Sequence, residues 1–139
     1  MSDYIRNKAV MYPIDQDILD RLSLEDAWEL AEVVGKVYPT LFTRNGNEPY
    51  FEVEAMDPGM FKCNYYLSYV LSHTYGKECS EFGRSRFLNP NEQKKYSEIF
   101  EKIISNLDPT KLKYVDYSYY NCSESPDFYV EGDDFNNEI

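Results

Sequence analysis

Apolar positions along this chain fall into several helical stripes separated by clear stop signals. Asp15 to Leu22 reads as a short first helix. Ser23-Leu24-Glu25-Asp26 has the form of a capping box, and Leu24, Ala27, Trp28, Ala31 and Val34 follow at helical spacing until Gly35. Asp57-Pro58 offers another helix entrance, with Met60, Cys63, Leu67, Val70, Leu71 and Thr74 on one face and Gly76 as the stop. Asn89-Pro90 opens the strongest helix, where Tyr96, Ile99, Phe100, Ile103, Ile104 and Leu107 keep the i, i+3, i+4 pattern up to Asp108-Pro109.

Two stretches read as β structure. Tyr38 to Thr43 and Tyr50 to Glu54 flank Asn45-Gly46, a turn pair, and suggest a small edge hairpin carrying Pro39 and Pro49. Leu112 to Tyr120 is rich in Tyr and Val and favours a strand. The expected fold is mainly α or α+β: three to four amphipathic helices, a small β element and an acidic C-terminal segment. One globular domain is expected over residues 1–130, with a fraying tail over 131–139.

Charge changes this picture at the C-terminal end. The chain has 139 residues and a formal net charge of −11, which argues against nucleic acid or an anionic membrane as a direct ligand. Residues 108–139 hold eight acids against Lys111 and Lys113, for −6, and the preceding 107 residues account for −5. From Tyr114 onward there is no Lys or Arg, and aromatic rings interleave with the acids. Acid alone describes a solvated tail; acid with rings describes an interface, because rings supply contact area and carboxylates select a basic partner. The candidate partner-binding residues are Asp116, Tyr117, Tyr119, Tyr120, Glu124, Asp127, Glu131, Asp133 and Asp134.

Other chemistry is weakly signalled. Cys63, Cys79 and Cys122 are odd in number and lack the short C-x₂₋₄-C spacing of zinc sites, with or without His73. They read as reduced thiols, so no metal or cofactor is expected. No phosphate-binding Gly-rich loop is present. Tyr65, Tyr66, Tyr69 and Tyr75 read as core packing, since base stacking needs a cationic groove. Arg84, Arg86, Lys94 and Lys95 form a basic cluster whose expected role is intramolecular pairing or solvation. The N-terminal MSDYIRNKAV lacks the apolar run of a secretory signal, and a cytoplasmic, non-enzymatic protein is expected.

Small size, acidity, abundant Tyr and no catalytic set make the chain resemble the immunity proteins of bacterial toxin systems. That resemblance is one of general character and implies occlusion of a basic toxin, such as a nuclease, by an acidic face. A phage-encoded nucleic-acid mimic acting on a host defence protein is the alternative. A small enzyme or housekeeping scaffold, whose site forms only on folding, is the second.

Overall fold

The computed structural model describes residues 3–44, 46, 48–55, 65–76, 84–121 and 128–129. Its centre is an antiparallel sheet. β1 (Asp3–Pro13) runs through the middle, flanked by β3 (Tyr65–Gly76) and β5 (Lys113–Asn121). β2 (Tyr50–Ala55) lies outside β3, and β4 (Arg84–Phe87) lies outside β5, giving the order β2-β3-β1-β5-β4. β6 (Phe128–Tyr129) pairs with β5 further along the same side. Three helices separate β1 from β2: α1 (Gln16–Leu22), α2 (Ala27–Val37) and the single turn α3 (Pro39–Phe42). α4 (Pro90–Phe100) joins β4 to β5.

This sheet-centred core overturns the helix-dominated expectation, and the largest correction is β3. The recurrence of Leu67, Val70, Leu71 and Thr74 three or four apart predicts a helix over these residues. The register explains the false period. β1 and β3 pair without interruption from Pro13↔Tyr66 to Ala9↔Val70, then shift so that Lys8 faces Ser72. Leu71 is the inserted residue, and a bulge of this kind breaks the two-residue alternation. Tyr65, Tyr66, Tyr69, Val70 and Thr74 are aromatic or β-branched, the side chains that suit a pleated surface. His73 is therefore a strand residue. Residues 56–64, with the expected Asp57-Pro58 cap, lie outside the described residues.

Smaller corrections follow the same logic. Ser23 is the C-cap of α1, in the left-handed region at φ 58°, and Asp26 caps α2 by accepting from the Glu29 amide at 2.9 Å. Residues 39–42 are helical, so the expected hairpin is absent and β2 pairs with β3 instead. α4 keeps its Asn89 cap, with a full reciprocal box to Glu92, but ends at Phe100. Ile104 and Leu107 reach the core from the turns beyond it.

The two faces of the sheet differ. On one, Val10 and Tyr12 of β1, Leu67 of β3, and Phe51 and Val53 of β2 join Ile18, Leu19, Ala27, Leu30, Val34 and Phe100 from the helices in a single apolar core. Phe51 packs edge-on to Phe100 with centroids 5.1 Å apart, and Tyr69 joins them as expected for a packing ring. The opposite face carries Asn7, Ala9 and Met11 of β1, Ser68 and Val70 of β3, Tyr50 and Glu54 of β2, and Val115 and Tyr117 of β5, all buried. Its residues lie outside the helix-side core cluster.

Candidate partner-binding surface

Of the nine residues expected to contact a partner, Asp116, Tyr117, Tyr119 and Tyr120 lie in β5. Asp116 is committed internally: Arg6 grips it with two hydrogen bonds, Nε to Oδ1 at 2.9 Å and Nη2 to Oδ2 at 2.7 Å. Tyr117 is interior, 1 % exposed, and its hydroxyl accepts from Asn7 Nδ2 at 3.1 Å. Tyr117 is thereby removed from the partner-facing set, because alternation on β5 turns it to the buried face. Tyr119 and Tyr120 lie in β5, opposite Ile5 and Tyr4. Glu124, Asp127, Glu131, Asp133 and Asp134 lie outside the described residues, as do Cys63, Cys79 and Cys122.

A second acidic and aromatic region, missed in the sequence, is fully described. Residues 15–32 carry Asp15, Asp17, Asp20, Glu25, Asp26, Glu29 and Glu32 against Arg21 alone. Averaging charge over the first 107 residues hid this run. Arg21 is spent on the main chain, donating to the carbonyls of Ser105 and Asn106 beyond α4. Asp15 and Asp26 act as caps, and Asp17, Asp20, Glu25, Asp26 and Glu32 are all exposed. Acids in a first turn also complement the helix dipole, so the run costs the fold little.

Trp28 stands in the middle of these acids. It fits the helical stripe by spacing, yet it is 51 % exposed and makes an edge contact to Tyr65 of the sheet, 5.7 Å between centroids. The large apolar side chains exposed among the described residues are Trp28, Val33, Val37, Tyr38 and Phe87. All but Phe87 belong to α2 or its C-cap. Concentration of apolar exposure on one element is the mark of a contact surface, whereas scattered exposure is ordinary. Tryptophan is the residue most enriched among interface anchors.

Of the basic cluster, Arg86 is paired within the fold. Arg86 holds Glu92 in a two-point bridge, 2.6 and 2.7 Å, and lies 5.1 Å from the Tyr114 ring centroid. That bridge and the cap amide of Asn89 bring the Glu92 carboxyl down to about 2.

One further cluster lies on the polar sheet face. Burial pushes the Glu54 carboxyl well above the usual carboxylate range, and the neighbouring Glu52 pushes it the same way by hydrogen bonding and repulsion. The Tyr117 hydroxyl, donating to Glu54, pulls in the opposite direction. Beyond Glu52, His73 Nδ1 lies 3.3 Å from the Tyr50 hydroxyl. Burial lowers the His73 imidazole, Arg44 adds to that, and Glu52 opposes it. A cleft of about 280 Å³ beside this group is lined by Arg44, Tyr50, Ser72, His73 and neighbouring residues, but not by Glu54. No helix among the described residues is long and apolar enough to cross a membrane. No family model matches the chain, and no curated protein or solved structure matches it either.

Proposed function

We propose that this protein is a non-enzymatic binder of a basic protein partner, of the immunity type that blocks a cognate toxin, and that α2 is a principal contact element. The observation that carries this reading is the exposed apolar surface of α2 set among acids, with Trp28 at its centre. Apolar area there supplies contact energy, and the surrounding carboxylates select cations on the partner and repel nucleic acid. The acidic C-terminal segment adds charge of the same sign, which strengthens the long-range attraction of a basic partner.

The test is affinity capture from the native host with wild-type and Trp28→Ala protein. The wild type is expected to retain one dominant basic partner, with an association rate that falls steeply as salt rises. Trp28→Ala is expected to weaken the complex by about 2 kcal/mol or more, as for a buried aromatic anchor. Salt-insensitive binding, or an unaffected Trp28→Ala complex, would overturn this reading.

A further inference from the structure

α2 is not uniform around its circumference. Ala27, Leu30 and Val34 turn to the core, and Val33 and Val37, four apart, lie on one flank. On the other flank Trp28, Ala31 and Gly35 recur at i, i+3 and i+7, and Tyr38 at the C-cap continues the three-four-three spacing. Positions 28 and 38 are about 15 Å apart along the axis at 1.5 Å of rise per residue. Two exposed rings thus bracket two small residues.

Gly35 is the informative member of the stripe. In the sequence it reads as a helix stop, yet α2 continues to Val37. Glycine is the poorest helix former after proline, and it is favoured where the backbone takes a positive φ or another group approaches closely. The first reason is absent, since Gly46 is the glycine with positive φ among the described residues. Nothing in the chain supplies the second, because a Cβ built on Gly35 meets no atom within 4 Å. The fold's own packing therefore makes no use of the bare backbone. A helix laid against this flank from outside does, because a small residue leaves a hole for a side chain of the incoming helix.

Charge around the stripe selects the occupant. Glu25 and Glu32 are exposed at i−3 and i+4 from Trp28, Asp26 and Glu29 add to them, and Lys36 is the one basic residue of α2. A second copy of this chain, at a net charge of −11, is repelled from such a surface. Resting on the reading of α2 as a contact element, we propose that the stripe formed by Trp28, Ala31, Gly35 and Tyr38 seats an amphipathic α-helix of the basic partner. A large apolar side chain of that helix lies over Gly35 between the two rings, and its lysines or arginines meet Glu25 and Glu32. The three-four-three spacing is that of a heptad seam, along which two helices pack side by side.

The probe is a synthetic three-heptad helical peptide with Leu and Ala alternating at the seam and Lys elsewhere. It is fluorescently labelled and titrated with the full chain by anisotropy at about 0.15 M salt, where surface charge is screened beyond ~8 Å. Saturable one-to-one binding is expected with a Kd below about 10⁻⁴ M, since a single helix covers less than a standard interface. Gly35→Leu fills the seat and is expected to weaken binding about tenfold or more. Gly35→Ala is expected to weaken it about threefold while raising the melting temperature by about 2–5 °C, opposite signs that a merely structural glycine would not give. Glu25→Gln with Glu32→Gln is expected to lower affinity about fivefold. Glu98→Gln with Glu101→Gln, exposed at the end of α4, is the control for diffuse charge and is expected to leave it unchanged. Weakening by Trp28→Ala with none by Gly35→Leu would keep α2 as a contact element and overturn the helix seat. So would the absence of saturable binding, or equal binding of a peptide of like composition interrupted by proline or of one with Glu in place of Lys. Self-association of the chain that Gly35→Leu abolishes would assign the stripe to a second copy and overturn the proposal as well.

Discussion

The two faces of this sheet are built from the same strands and obey opposite rules. The helix-side face buries an apolar core, in which the packing of Phe51, Leu67 and Phe100 holds the fold together, and charged groups on that face such as Arg6 and Asp116 are paired with each other. The other face is equally buried but carries Asn7, Ser68, Glu54 and Tyr117. Apolar burial contributes stability without specifying chemistry, whereas each buried polar group costs free energy unless it is matched. A strand system that tolerates such groups on one face and keeps them out of the core on the other separates stability from chemistry.

The comparison can be broken most forcefully on the apolar side. Phe100→Ala is expected to destabilise the protein by about 3–5 kcal/mol through lost packing and a residual cavity, read by urea denaturation. An effect below that of any polar-face variant would remove the distinction. On the polar face, Tyr117→Phe deletes one hydroxyl without changing shape. It is expected to cost about 1–3 kcal/mol, because Asn7 Nδ2 loses its acceptor and Glu54 its donor. Loss of that donor also raises the Glu54 carboxyl further, which NMR titration of the side-chain carboxyl would detect.

The pH dependence of unfolding sharpens the comparison by sign. Glu54 titrates above its unfolded value of 4.5, so the folded state binds the extra proton, and stability falls as pH rises from about 4.5 through the raised value. The groups around that carboxyl are Glu52 and Tyr117, with Asn7 beyond Tyr117 and His73 and Arg44 beyond Glu52. Glu92, on the helix side, titrates at about 2, below its unfolded value, so its contribution is present above about 4.5 and is lost as pH falls toward 2. Glu54→Gln is expected to flatten the rising-pH limb and Glu92→Gln the falling-pH limb, in thermal melts across that range. Glu92→Gln also weakens the α4 cap and the Arg86 bridge, for about 1 kcal/mol near neutral pH. The smallest effect is expected at the surface: Trp28→Ala should change stability by less than about 1 kcal/mol, since its principal loss is one edge-on ring contact. A larger loss in the melt would place Trp28 with the core and weaken its assignment to a contact surface.

Legibility in the sequence tracked how local each signal was. α1, α4 with its Asn89 cap, and β5 were readable because caps, prolines and a single unbroken period suffice for them. β1 was not, since burial on both faces mixes Ile5, Asn7, Ala9, Val10 and Met11 without a clean alternation. β3 was misread because the bulge at Leu71 mimics helical spacing. Tyr117 looked like an exposed anchor only while its strand lacked a register.

The sequence by itself determined the sign and scale of the charge, the Asn89 cap of α4, and the abundance of aromatic rings, because these depend on residue identity and near neighbours. Only the tertiary structure decided which rings are buried, which acids are already paired, and that Asn7 and Tyr117 meet. Those residues are far apart in the chain, and strand pairing alone brings them together; no local pattern encodes a register set by long-range hydrogen bonds.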